Sequence, residues 1–409
     1  MKLGVHDFAQ IELAEIDFGE PGDLTVLVGQ QATGKSLILQ WLKLLTDSLV
    51  IRRDWVSFGS NWKIQGDPLR PLDLFFGEGL GKGWRSETLI ELDGRPVELK
   101  SLFNLPSGHQ ASKKAGAEPV EKTYFIPAHR ALLLTDGWPR NFQQHVPGTP
   151  YVARAQSERL ARWLSDAGAS LFPVSNKLQK EVRDLFNAAI FHNATLNVDR
   201  SSPQSRLVLT AQQDHPIPYM AWTAGQREFV PLLIALYELI PGGATSRLQG
   251  VETVVMEEPE LGLHPAALFA VGVALLHLLA RGYRVVVSTH SPLMVDFAWT
   301  LNRLRVASAK GKADIKDYCQ AFDLHSNNSN KELVRKLQNC RARAFYLSYA
   351  KSAAAGAVKS KDISSLLTYA GDDDQSSWGE LLKYSIRLAE VIGQLEIDFS
   401  SLKPEELVQ

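Results

Sequence analysis

The sequence predicts an α/β fold: a mixed sheet flanked by helices, carrying an insertion and a C-terminal extension. Three observations predict it. Residues 29–36 read Gly29-Gln30-Gln31-Ala32-Thr33-Gly34-Lys35-Ser36, a G-x-x-x-x-G-K-S octet between the apolar run Leu24–Val28 and an apolar-rich helical stretch, Leu37 to Leu45. A second apolar run, Val254-Val255-Met256, ends in the paired acids Glu257 and Glu258. A third, Val285-Val286-Val287, ends in Ser288-Thr289-His290. Buried strands that each deliver polar residues at their ends, with helical segments between, describe a sheet whose ligands gather at one edge.

The octet has a physical reading of its own. Its glycines let successive backbone N–H groups converge on phosphates at a helix N-terminus. Lys35 is placed to reach the β- and γ-phosphates, and the Ser36 hydroxyl to bind Mg²⁺. A tight strand-to-helix turn is the bland alternative, and the strand–loop–helix context weighs against it. The chain is expected to bind ATP with Mg²⁺.

Composition narrows the class. At 409 residues the chain has room for two or three domain-sized units, or for one α/β domain with large insertions. Apolar content of 45% and charged content of 22% describe an ordinary globular chain with ample core. A net charge of −1 excludes a whole-molecule electrostatic binder of nucleic acid. Charge is segregated only toward the C-terminus. Residues 331–361 hold eight Lys/Arg (among them Arg341 and Arg343) against Glu332 alone, and residues 371–409 hold nine acids against three bases. Solvated helix faces are the commoner meaning of such runs; a charged partner is the other. Cys319 and Cys340 make neither a disulfide framework nor a zinc site, which fits a reducing cytoplasm. Asp7, Glu12, Glu15 and Asp17 stand where a signal peptide would need basic and then apolar residues. The apolar stretch Ala266 to Ala280, interrupted by Gly272 and His277, is short for a membrane span and reads as a core helix, so no membrane is expected.

Along the chain, residues 2–28 alternate as a hairpin leading into the octet's strand. Residues 48–120, rich in Gly, Pro and Trp, read as an irregular or β-rich insertion. Residues 123–127 form a short strand, with His129 and Arg130 just beyond its end, where ligands of α/β sheets bind. Helical periodicity covers 155–190, and Leu207–Leu209 suits another strand. No heptad pattern persists, so no coiled-coil arm is expected. The division expected is a core of 1–47 with 205–300, an insertion of 48–204, and a helical extension of 301–409.

The later motifs complete a reaction centre. Strand alternation puts Glu257 and Glu258 on opposite sides, so they take different tasks. Glu257 is expected to hold Mg²⁺ through water, and Glu258 to orient and deprotonate the attacking water, a role worth about 10²–10⁴ in rate. His290 alone would more often be structural. One β–α unit after the acids, it stands where it can bond a γ-phosphate. Thr223-Ala224-Gly225-Gln226 precedes the helical run Phe229 to Leu239, so its free N–H groups and the Thr223 hydroxyl offer a second phosphate-binding end. One chain needs only one such end for a γ-phosphate; two chains facing head-to-tail use both.

That order of motifs (octet, Thr-Ala-Gly-Gln, Glu-Glu-Pro-Glu-Leu-Gly-Leu-His-Pro, Ser-Thr-His-Ser-Pro) resembles the P-loop NTPases with ABC-type ATPase heads of the OLD-like, AAA-15/AAA-21 group. The resemblance implies a homo-oligomer in which ATP lies between the octet of one subunit and Thr223–Gln226 of another, with Leu261 to Pro265 near the seam. The tail Asp362-Ile363-Ser364-Ser365-Leu366, then Asp372-Asp373-Asp374 and Trp378-Gly379-Glu380-Leu381, is similar to stand-alone ATPases of anti-phage operons, the PARIS type above all. That likeness implies a separate TOPRIM-type effector nuclease and a phage-encoded trigger, acidic or DNA-mimicking. Asp372–Asp374 lacks the apolar strand a nuclease site of its own would need. Departures are three. Glu257 replaces the group's usual Asp, Ala224 stands where a Gly is common, and no Q-loop glutamine is assignable, Gln110 being a poor candidate beside His129/Arg130. The alternative is a DNA-repair ATPase acting on DNA, and a third reading is an ATP-gated scaffold in which Glu258 contributes little.

Overall fold

The computed structural model describes residues 1–59, 69–103, 118–146, 148–201, 204–211, 216–242, 246–350, 357–365, 377–378 and 380–393. Sixteen strands are described: β1 Lys2–Phe8, β2 Ile11–Asp17, β3 Leu24–Gly29, β4 Trp84–Leu92, β5 Arg95–Pro96, β6 Thr123–Ile126, β7 Leu134–Thr135, β8 Trp138–Pro139, β9 Ser170–Phe172, β10 Thr195–Asp199, β11 Arg206–Thr210, β12 Pro216–Ile217, β13 Thr253–Glu257, β14 Arg284–Ser288, β15 Ala342–Tyr349 and β16 Val358–Asp362. Ten of them form one sheet in the order β5-β4-β1-β2-β16-β15-β3-β14-β13-β6. The half from β15 to β6 is parallel, and the β5-β4-β1-β2 half is an antiparallel meander.

Residue type explains the division. Every residue of β3, β13 and β14 is buried, as parallel strands covered on both faces must be. Alternation sends their side chains into two cores. Val26, Val28, Val254, Met256, Val285 and Val287 face one, and Leu27, Val255 and Val286 face the other. The second core holds the helix Lys35–Ser57, whose Trp41 packs on Phe8 and Phe76 at centroid distances of 5.2 and 5.0 Å. The first holds the helices Ala224–Leu239, Pro265–Ala280 and Pro292–Ala309. Pro265–Ala280 is a core helix, and among the described residues no helix is long and apolar enough to cross a membrane.

The β1–β2 hairpin, the octet strand, the strand before Pro127 and the strand over 207–209 all lie where residue patterning puts them. Two segments differ. The C-terminal segment, expected to be helical, contributes β15 and β16 to the main sheet, with β15 beside β3. The reason is two-sided burial: Phe345 and Leu347 face one core, Ala344 and Tyr346 the other. The helical reading of 155–190 resolves into the helix Tyr151–Asp166, strand β9, and the short helix Lys180–Phe186, with Pro173 breaking the run. In the segment expected as an insertion, β4 and β6 join opposite ends of the main sheet, and β9 and β10 form a separate antiparallel sheet with β11 and β12, which lie in the segment expected as core.

A candidate nucleotide site at the carboxyl edge of the sheet

Parallel pairing aligns the ends of three strands. Glu257 is in register with Ser288, and Ser288 with Leu27, so the octet, the acids and His290 emerge together. Gly34 takes a left-handed φ of 86° at the mouth of the helix Lys35–Ser57, a conformation glycine adopts without Cβ strain. Gln30, Gln31 and Ala32 are exposed, Thr33, Gly34 and Lys35 are buried, and Ser36 is half-buried. The Thr33 hydroxyl donates to the Gln30 carbonyl at 2.8 Å and closes the loop. Lys35 Nζ folds back onto the Gly29 and Gln30 carbonyls at 2.9 and 3.0 Å. Burial pushes its ammonium down to about 8, against the pull of Glu258 and Glu260.

Glu257 is 3% exposed. Burial pushes its carboxyl up to about 7, although the neighbouring Ser36 hydroxyl and the Ala128 N–H favour the charged form. That N–H donates to Oε2 at 3.2 Å, whereas Oε1 is buried without a hydrogen-bond partner. Glu258 leaves the strand through a left-handed φ of 41°, its N–H donating to the Ser288 carbonyl at 2.9 Å. The two acids therefore diverge because the backbone turns at Glu258, not through strand alternation alone. Glu258 Oε1 lies 3.7 Å from His290 Nε2. Burial, then Lys35, pushes the His290 imidazole below its ordinary value, with Glu258 opposing.

Glu260, to which sequence patterning attached no task, belongs to this cluster. Its Oε1 accepts the His290 N–H at 2.5 Å, and its Oε2 is buried without a partner. Spacing to His290, thirty residues on, carries no signal of that bond. The C-terminal segment also reaches the octet: Gln30 Nε2 donates to Glu380 Oε2 at 2.6 Å, and Lys383 Nζ to Glu380 Oε1 at 2.7 Å. The Tyr349 hydroxyl donates to the Ala32 carbonyl at 2.9 Å.

Thr223–Gln226 stands at the start of the helix Ala224–Leu239. Among the described residues no hydrogen bond or ion pair joins it to residues 29–36. Thr223 caps the helix Ala224–Leu239, its hydroxyl accepting from the Gln226 N–H at 3.2 Å while the Thr223 N–H donates to Gln226 Oε1 at 3.1 Å. Thr223 and Ala224 are exposed. Behind them Gly225 packs on Gly262, where a Cβ would stand 2.6 Å from the Gly262 carbonyl oxygen.

Two expectations are corrected. Arg130 is not a ligand group: it is 0% exposed, and its guanidinium is spent on main-chain carbonyls. Arg343 is not a free docking charge, because it pairs with Asp23 at 2.7 Å at the head of β3. Lys359 pairs with Glu12 at 2.8 Å and Lys336 with Glu332 at 3.4 Å, so much of the basic run is neutralised within the fold. Gln110, Leu366, Asp372–Asp374 and Gly379 lie outside the described residues.

Residues 170–296 match the AAA_21 family model, described as an AAA domain, putative AbiEii toxin, Type IV TA system. The chain is similar to the Old nuclease of Escherichia phage P2, 26% identical over 344 residues, covering 69% of this chain and 55% of that protein. It thus spans about half the length of that curated relative. Among solved structures it is similar to an Smc head bound to the C-winged helix domain of ScpA, with a TM-score of 0.40 at 10% identity, covering 88% of this chain and 96% of that one. It is also similar to a dimeric ATP-binding cassette in a post-hydrolysis state bound to ADP and Pi, with a TM-score of 0.33 at 11% identity, covering 72% and 90%. The chain is thus similar, over part of its length, to an AAA-domain family and to the Old nuclease.

Proposed function

We propose that this chain binds ATP with Mg²⁺ at the octet edge and hydrolyses it slowly, within a homo-oligomer in which Thr223–Gln226 of one copy completes the site of another. The observation that carries the reading is the gathering of Lys35, Ser36, Glu257, Glu258 and His290 at one sheet edge, with the buried Glu257 Oε1 lacking a partner.

A hydroxyl beside a buried carboxylate is a donor set that fits Mg²⁺. Among the described residues no group of three or more His, Cys, Asp or Glu is placed to hold a metal, so phosphate oxygens and water would complete the coordination. Ser36 and Glu257 would hold the ion, which when bound neutralises charge on the β- and γ-oxygens. The octet's N–H groups hold the triphosphate, and Lys35 exchanges its two carbonyl contacts for phosphate oxygens. Glu258 takes a proton from the attacking water. His290, neutral because of its burial, donates to a γ-phosphate oxygen and loses that partner when the phosphate leaves.

The ATP cycle would control a separate effector nuclease, TOPRIM-type, released when a phage product arrives. The relative named a nuclease and the toxin–antitoxin description of the matched family support this reading. The cytoplasm is the compartment that fits two free, buried cysteines.

The test is phosphate release with Mg²⁺ by wild type and Glu258→Gln, beside ATP binding by each. We expect the variant to lose about 10²–10⁴ in rate while keeping its affinity. Equal rates would make the chain a scaffold. Mass measured with and without ATP tests assembly, and DNA-stimulated, salt-sensitive hydrolysis would favour the DNA-repair alternative.

A further inference from the structure

Arg130 is buried as deeply as any apolar side chain in the protein. It follows His129, which turns the chain after β6 with a left-handed φ of 50°. Each of its hydrogen bonds ends on a main-chain carbonyl. Nε donates to Glu228 at 3.0 Å, Nη1 to Pro127 at 3.2 Å and Glu257 at 2.8 Å, and Nη2 to Glu258 at 3.1 Å. The Glu228 carboxylate lies 3.9 Å from Nε, its Oε2 buried without a hydrogen-bond partner. Removing a guanidinium from water costs several kcal/mol unless its donors are satisfied, so this arrangement holds only while those carbonyls stay converged.

The carbonyls belong to elements far apart in sequence. Glu257 and Glu258 carry the acids, and Glu228 lies in the first turn and a half of the helix Ala224–Leu239. Glu258 also has a left-handed backbone, which is strained for a non-glycine residue and persists only where its surroundings over-determine it. Those surroundings are visible: Ser288 holds its N–H and Arg130 holds its carbonyl.

We infer that Arg130 is a positioning residue that couples the Thr223–Gln226 helix tip to Glu258 of the same chain. The inference rests on the composite-site reading above, in which each tip meets the partner copy's nucleotide. A shift of Glu228 passes through one planar, rigid fork to the main chain bearing Glu257 and Glu258, and the two sites of a dimer become linked. Lysine keeps the charge but has no such fork, so it cannot hold four carbonyls in one plane.

The experiment compares wild type with Arg130→Lys in ATP affinity, kcat, the Hill coefficient for phosphate release, and melting temperature. We expect a folded variant that binds ATP within about twofold of wild type, turns over about tenfold or more slowly, and has a Hill coefficient near one. A merely structural arginine would lower the melting temperature and leave the Hill coefficient alone. Wild-type kcat and cooperativity in folded Arg130→Lys overturn the inference, as does a wild-type Hill coefficient of one. Should Arg130→Lys not fold, Arg130→Gln, which keeps an amide donor but has no fork, takes its place: reduced cooperativity at unchanged affinity supports the coupling, and unchanged cooperativity overturns it. Failure of the wild type to bind ATP strikes the composite-site reading itself, and it shows in the wild-type arm alone.

Discussion

The octet edge and the Thr223–Gln226 tip are both helix N-termini, yet they are finished differently. At the octet edge polar atoms converge with too few partners: Lys35 rests on its own loop's carbonyls, and Glu257 Oε1 and Glu260 Oε2 are buried without any. At the tip, Thr223 and Gln226 satisfy each other, and the cap faces outward. Under the proposed function, the unpartnered carboxylate oxygens would be met by Mg²⁺ or a water, and Lys35 would exchange its carbonyls for phosphate oxygens. A surface that meets a second copy must be complete by itself while the copies are apart. Under the proposed function, the contrast would separate residues that grip the nucleotide from residues that visit it from a second copy.

The sharpest way to break this contrast is to remove the grip. Lys35→Ala should weaken ATP binding by about 100-fold, the value of a charge-assisted bond to phosphate, as read by a fluorescent nucleotide analogue. Unaltered affinity would mean that the octet is only a turn. At the tip, Gly225→Ala would ordinarily help a helix by about 1 kcal/mol. Here the Cβ would meet the Gly262 carbonyl at 2.6 Å, so we expect a loss of about 1–3 kcal/mol by chemical denaturation, together with loss of ATP-dependent assembly. A stabilised variant that still assembles would show that the tip's seating on Gly262 is irrelevant.

A third test uses a lysine that is fully partnered. Lys43, on the same helix as Lys35, donates to Asp47 at 2.8 Å, Glu121 at 2.5 Å and the Thr123 carbonyl at 2.6 Å. Burial pushes Glu121 up, but Lys43 and Arg159 outweigh it and hold the carboxyl down at about 2, against an ordinary 4.5. Its folded-state value is depressed, so its stabilisation is complete above about pH 4.5 and is lost as pH falls toward about 2. Glu121→Gln should cost up to about 3 kcal/mol at neutral pH and flatten the acid limb of melting temperature against pH. An unchanged limb would remove Glu121 as the buried anchor. The smallest effect is expected at Glu380, whose carboxylate sits on Gln30 at the octet's mouth. Glu380→Ala should tighten ATP binding about two- to fivefold by removing a negative charge near the phosphates, and less so at high salt. Weaker binding would mean that Glu380 supports the loop.

How much of this was legible depended on distance along the chain. The octet, the acid strand and the His290 strand are contiguous patterns of burial and chemistry, and each lies in the structure as read. The helix start at Thr223 was legible too, but not that its hydroxyl and the Gln226 N–H, expected free, engage each other in a capping box. What else escaped was long-range. Strand β15 packs beside β3 because two cores cover it, and Glu260 bonds His290 across two strand ends. The Glu380 contact with Gln30 spans 350 residues. Arg130 looked like a ligand group at a strand end because exposure cannot be read from a residue's position after a strand.

By itself the chain determined which short segments would be strand, loop and helix, and which residues would stand at their ends. Those outcomes follow from periodicity, glycine geometry and local capping, which act over fewer than about ten residues. Only the tertiary structure decided which polar groups went unpaired and which were spent. Burial and partnership are set by elements that meet in space, so Lys35 bonds only the carbonyls of its own loop while Lys43 and Arg130 are held by groups from distant segments.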